Sequence, residues 1–132
     1  ILVHEAAHAL DLERCPELGR RREEDAERRA CCGVVEGHAQ HVARRVARAW
    51  GLDPVFAALR ANYVDPSEGA GGLLGSWAHL AYVEGQDFMD VLYAEGGREA
   101  VDATLGRPPK SEWDVRGPGS WLAELRARGV SR

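Results

Sequence analysis

Residues 1–12 read Ile-Leu-Val-His-Glu-Ala-Ala-His-Ala-Leu-Asp-Leu, a helix-compatible run holding only His4, Glu5, His8 and Asp11 as polar side chains. Two histidines four positions apart project from one face of a helix, one turn above each other. Glu5 stands about 100° further round the same helix. Ile1, Leu2, Val3, Ala6, Ala7, Ala9, Leu10 and Leu12 occupy nearly every other direction. A helix apolar all round is expected to be buried. Placing imidazoles and a carboxylate there is costly unless they are paired or bound to a metal. The string His4-Glu5-Ala6-Ala7-His8 is HExxH. Its spacing lets both imidazoles reach one tetrahedral Zn2+ at about 2.0–2.1 Å and leaves the glutamate free for a water on the metal. His4 and His8 are therefore the expected ligands and Glu5 the expected general base.

Outward from this stretch the chain reads as mainly α. The first helix ends before Cys15-Pro16, because the residue preceding a proline leaves the helical region. A charged connection covers 17–22, and a long helix should run from Glu23 to Trp50 and stop at Gly51. Asp53-Pro54 opens another helix to Tyr63. Residues 65–75 read as a loop, and helical pattern returns from Ser76 to Glu95, with a possible break near Gly85. Gly96-Gly97 stops it, a short helix covers 98–105, and Pro108-Pro109 end that. The tail is irregular up to a last helix near 120–128, with Trp113 and Trp121 expected to cover the core. No repeat and no run of strand alternation is visible, so the chain reads as one domain spanning 1–132.

A zinc site of this kind needs a third protein ligand and one open position. The metzincin extension requires Gly at 11 and His at 14; Asp11 and Arg14 stand there and exclude it. On the long helix, an apolar arc centred on Val35 gathers Cys31, Cys32, Ala39, Val42, Val46, Ala49 and Trp50, with His41, Arg44, Arg45 and Arg48 opposite, toward solvent. Glu36 lies at one border of that arc, flanked by Cys32 and Ala43, and His38 lies at the other. Glu36 is the favoured third ligand, with His38 the alternative. Asp11, facing as His4 and His8 do, is a lesser candidate for a ligand or for an acceptor behind one.

Composition narrows the field. The apolar and charged fractions, 45% and 29%, are those of an ordinary globular chain. A net charge of −4 argues against general nucleic-acid binding. Arg20, Arg21, Arg22, Arg28 and Arg29 alternate with acidic residues, as on a solvated helix face. No apolar run reaches the roughly 20 residues that span a bilayer. Cys15, Cys31 and Cys32 fit neither a zinc ribbon nor a disulfide framework and read as small buried residues. His38 and His41 are expected at the surface. A di-iron carboxylate bundle would need a second ExxH, and none is present. Because the chain opens at Ile1 inside a helix, it is read as a piece of a longer protein.

An HExxH helix followed by a helical glutamate resembles the gluzincin arrangement of thermolysin-like peptidases. The chain is most similar to a group of prokaryotic zinc-peptidase-like proteins that share His4 through Leu10, Val35-Glu36-Gly37-His38-Ala39, Tyr82 through Phe88, Gly96-Gly97 and Pro108-Pro109-Lys110-Ser111 in this order. The resemblance runs over about 1–112. It implies a zincin-like helical core whose HExxH helix packs on the glutamate-bearing helix. It also implies a preceding substrate-binding β-sheet that this chain lacks. The implied activity is zinc-dependent hydrolysis of peptide or protein substrates; the alternative is an inactive relative that binds metal or a partner. Gluzincins commonly use a Tyr or His to stabilise the oxyanion, which points to Tyr82 first and His79 second, although Tyr82 also reads as a core aromatic. The chain departs from the group at His38, usually acidic, and at Arg98, frequently aromatic. It departs from thermolysin-like enzymes at Gln40, where they carry an acidic partner for a ligand histidine.

Overall fold

The computed structural model describes residues 1–64 and 73–130, with the side chains of 62–64, 73 and 74 left aside. All regular structure among the described residues is helical, as the sequence predicts. In chain order the helices are α1 (Leu2–Arg14), α2 (Asp25–Ala49), α3 (Asp53–Val64), α4 (Leu73–His79), α5 (Gly85–Gly106), α6 (Glu112–Arg116) and α7 (Pro118–Ala127). A 3-10 turn, Pro16–Gly19, follows α1, and a π-helical turn, Leu80–Glu84, runs α4 directly into α5.

The boundaries have local causes. Cys15 is pushed to φ −130° ahead of Pro16 and ends α1. At the end of α2, Gly51 takes φ +70°, and Leu52 N–H and Gly51 N–H return to the carbonyls of Ala47 and Arg48 at 2.8 and 3.1 Å. That is the Schellman closure a glycine permits. Gly97, at φ 65° and ψ −164°, divides α5 where the sequence predicts a stop. This backbone region is open essentially to glycine alone. The expected break near Gly85 is the π-helical turn that ends beside it.

The core lies where α5 packs on α2, with α6 and α7 closing it. Ala30 and Val34 of α2 meet Phe88, Met89 and Leu92 of α5, with Leu80, Val115 and Leu122 beside them. Trp121 is buried there; its indole N–H donates to Thr104 Oγ1 at 2.9 Å, and that hydroxyl donates to the Ala100 carbonyl at 2.7 Å. The two long helices cross backbone to backbone. A Cβ on Gly37 would stand 2.2 Å from the Gly85 carbonyl carbon, and one on Gly85 would stand 2.1 Å from the Gly33 carbonyl oxygen. This contact gives a physical role to the glycines of the Val-Glu-Gly and Tyr-x-x-Gly segments.

Several expectations need correction. Helix α1 is not buried all round: Ile1, Leu2, Leu10 and Leu12 are exposed, and only Ala7 and Asp11 are buried. His41 is buried rather than solvent-facing, because Asp90 of α5 accepts its ring N–H at 2.6 Å. The buried stripe of α2 accordingly runs through Ala30, Val34, Gly37 and His41, while Trp50 is 68% exposed. Trp113 is 77% exposed and covers nothing. Ser111 caps a short helix, α6, in the tail expected to be irregular. Of the predicted loop, 65–72 lies outside the described residues, and 73–75 is helical.

Candidate metal centre

Helices α1 and α2 bring three donors to one point. His4 Nε2 lies 3.1 Å from Glu36 Oε2, His8 Nε2 lies 3.4 Å from the same oxygen, and the two ring nitrogens are 3.0 Å apart. Two ligands at about 2.0–2.1 Å from a tetrahedral zinc are separated by about 3.3–3.4 Å. The triad is therefore close to three corners of a zinc tetrahedron. Which of the two ring nitrogens carries a proton depends on the tautomer, and one N–H can be shared between the other two atoms. A cation between the three atoms would engage all of them at once. The imidazoles meet edge to face at 89° with centroids 4.5 Å apart. Side-chain exposures of 14%, 19% and 24% for His4, His8 and Glu36 leave the point recessed yet reachable.

The remaining predicted residues divide clearly. Glu5 is exposed and lines a groove with His4 and Tyr82. The Tyr82 ring sits 6.3 Å from that of His4, carried there by the π-helical turn. His79 Nε2 lies 3.9 Å from Glu84 Oε1. Gln40 lines the same groove as Glu5.

Neither alternative ligand reaches the triad. His38 Nδ1–H donates to Asp11 Oδ2 at 2.7 Å, and Asp11 is 4% exposed. The pair forms a second rung between α1 and α2, beyond the one made by the triad. A carboxylate at position 38 would meet Asp11 with like charge. Cys32, one turn before Glu36, is kept protonated: burial, the Glu36 charge and the neighbouring Cys31 push its thiol up to about 11. That makes it a poor donor at neutral pH.

A further polar cluster joins residues too far apart in the chain to carry a sequence signal. Asp90 Oδ1 accepts from His41 at 2.6 Å and Asp90 Oδ2 from Arg44 at 2.5 Å, joining α5 to α2. Burial pushes this carboxyl up, but the His41 hydrogen bond and the charges of His41, Arg44 and Arg60 outweigh it and hold the group below its ordinary value. The i, i+4 pair Val55 and Leu59 on α3 lines the groove as well. Its signal was present as an apolar stripe on a short helix.

No protein-family model matches the chain, and no curated protein or solved structure matches it either.

Proposed function

We propose that this chain is the zincin-like core of a zinc-dependent peptidase, with His4, His8 and Glu36 holding the metal and Glu5 serving as base. The observation that carries the reading is the convergence of the three donors from two helices at 3.0–3.4 Å from one another. Glu5 and Tyr82 border the groove that His4 also lines. Zinc held by such a triad would supply a Lewis acid and would lower the pKa of a water on it toward neutrality. Glu5, next in sequence to the ligand His4 and lining the same groove, would take the proton of the attacking water and return it to the leaving amine. The Tyr82 hydroxyl donates to the oxygen on which charge develops.

The test is Glu5→Gln, which keeps the shape of the side chain and removes the base. Zinc content should be unchanged, and cleavage of an unfolded protein such as casein should fall by about 100-fold or more. Cleavage at the wild-type rate would remove Glu5 from the mechanism. Full zinc occupancy in the wild type without cleavage of any unfolded substrate would instead establish a metal-binding domain that does not hydrolyse.

A further inference from the structure

The run from α4 into α5 is wound as a π-helical turn over Leu80–Glu84, closed by the Gly85 N–H bonding the Leu80 carbonyl five positions back. Such a turn is wider than the α-helix on either side of it and changes which side chain faces which neighbour. It is rare, so contacts outside the helix are needed to hold it. One hold is shape. Gly85 sits against the backbone of α2, where a Cβ would stand 2.1 Å from the Gly33 carbonyl oxygen.

The other hold is charge. Glu84, the last residue of the turn, accepts from Arg116 Nε–H of α6, with both its oxygens 3.0 Å away. Arg116 Nη2 lies 3.3 Å from Glu112 Oε2, and Arg29 Nη2 of α2 donates to that same oxygen at 3.3 Å. The Arg29 guanidinium stands 5.3 Å from the centroid of the Trp77 ring in α4. His79, the residue before the turn, has Nε2 3.9 Å from Glu84 Oε1. A string of alternating charge therefore runs Arg29, Glu112, Arg116, Glu84 and meets the helix on both sides of the turn. Isolated surface ion pairs contribute little, but networks are the exception. Here Glu84, Glu112 and Arg29 are only 24%, 19% and 22% exposed. Tyr82 lies in the middle of the turn, with its ring 6.3 Å from that of His4. Glu84 itself does not line the groove. We infer that Glu84 is a positioning residue: clasped by Arg116, it holds the π-helical turn in the register that brings Tyr82 to His4. Its catalytic consequence rests on the peptidase reading, in which Tyr82 acts; the register does not.

The experiment uses the full chain loaded with zinc and breaks the clasp from either side, with Glu84→Ala and with Arg116→Ala, so that a folding failure in one leaves the other. Zinc content should hold in both, since neither residue belongs to the triad. The first readout is the proton–proton NOE between the Tyr82 and His4 rings. It should be present in the wild type, lost in both alanine variants and recovered in Arg116→Lys, whose ammonium can again meet Glu84. The second is kinetic. Each alanine variant should lower kcat by about tenfold or more with KM unchanged. Tyr82→Phe should lower it by about 100-fold, and Glu84→Ala added to Tyr82→Phe should slow it no further. An NOE that persists in both alanine variants overturns the inference and leaves the Gly85 contact as the only hold. A loss that adds in full to that of Tyr82→Phe overturns it as well, because Glu84 would then act elsewhere. An NOE lost with the clasp, in a chain whose wild type cleaves nothing, sustains the clasp and removes the peptidase reading.

Discussion

Replacing Gly37 by Ala is the sharpest perturbation of the frame that holds the site. The added Cβ would stand 2.2 Å from the carbonyl carbon of Gly85, 2.3 Å from its oxygen and 2.7 Å from its Cα, where ordinary contact begins at 3.4 Å. All three atoms are backbone, so no rotamer change relieves the overlap, and α2 and α5 must part by roughly 1 Å. Overpacking a core with flexible side chains costs about 1–3 kcal/mol, and a backbone-on-backbone contact belongs at or above the upper end. At about 3 kcal/mol the melting temperature of a chain this size falls by about 10 °C. Gly33, one turn earlier on the same helix, is the internal control. A Cβ there meets Leu80 Cγ and Val115 Cγ1 at 3.6 Å, an ordinary contact. Gly33→Ala should therefore be neutral or stabilising by about 0.5–1 kcal/mol through the lower backbone entropy of alanine. Thermal unfolding followed by far-UV circular dichroism compares the two variants directly. Equal losses in both, or none in either, would refute the backbone contact of Gly37 with Gly85.

Asp11→Ala leaves His38 part-buried and unpaired and should cost about 3 kcal/mol in urea unfolding, part of which His38→Ala in the same chain restores. Zinc should still bind at one per chain in the folded variant; zinc lost from a folded Asp11→Ala would make Asp11 a ligand. Asp90→Asn tests the second cluster. A carboxyl held below its unfolded value stabilises the fold above that value and loses this contribution as the pH falls through the folded one. The variant should be less stable than the wild type by about 1–3 kcal/mol at pH 7. The gap should close below about pH 4. A gap unchanged at low pH would show that the carboxylate charge is not its source.

What the sequence made legible follows from which residues announce themselves. HExxH fixed a face of α1 and Pro16 its end, and the apolar and glycine pattern located α2 within two residues at its start and one at its end. Glu36 stood out as a carboxylate beside small residues. His41 was misplaced because a histidine counts as polar, while its burial depends on Asp90, far away in the chain. Gly33 and Gly37 carry no hydropathy signal, so the buried stripe of α2 was centred on Val35 instead of Val34. The bare outer face of α1 shows the limit of composition: apolar residues permit burial, but only an element packed against them produces it. Tyr82 was pointed to by the resemblance alone; its ring lies 6.3 Å from that of His4, on the π-helical turn.

The central claim is the metal site, and elemental mass spectrometry of the purified chain, after loose metal is removed, tests it most directly, run beside His8→Ala. The account predicts about one zinc per chain in the wild type and almost none in the variant. No zinc taken up by the folded wild type when it is supplied, or zinc retained in full by His8→Ala, would contradict it.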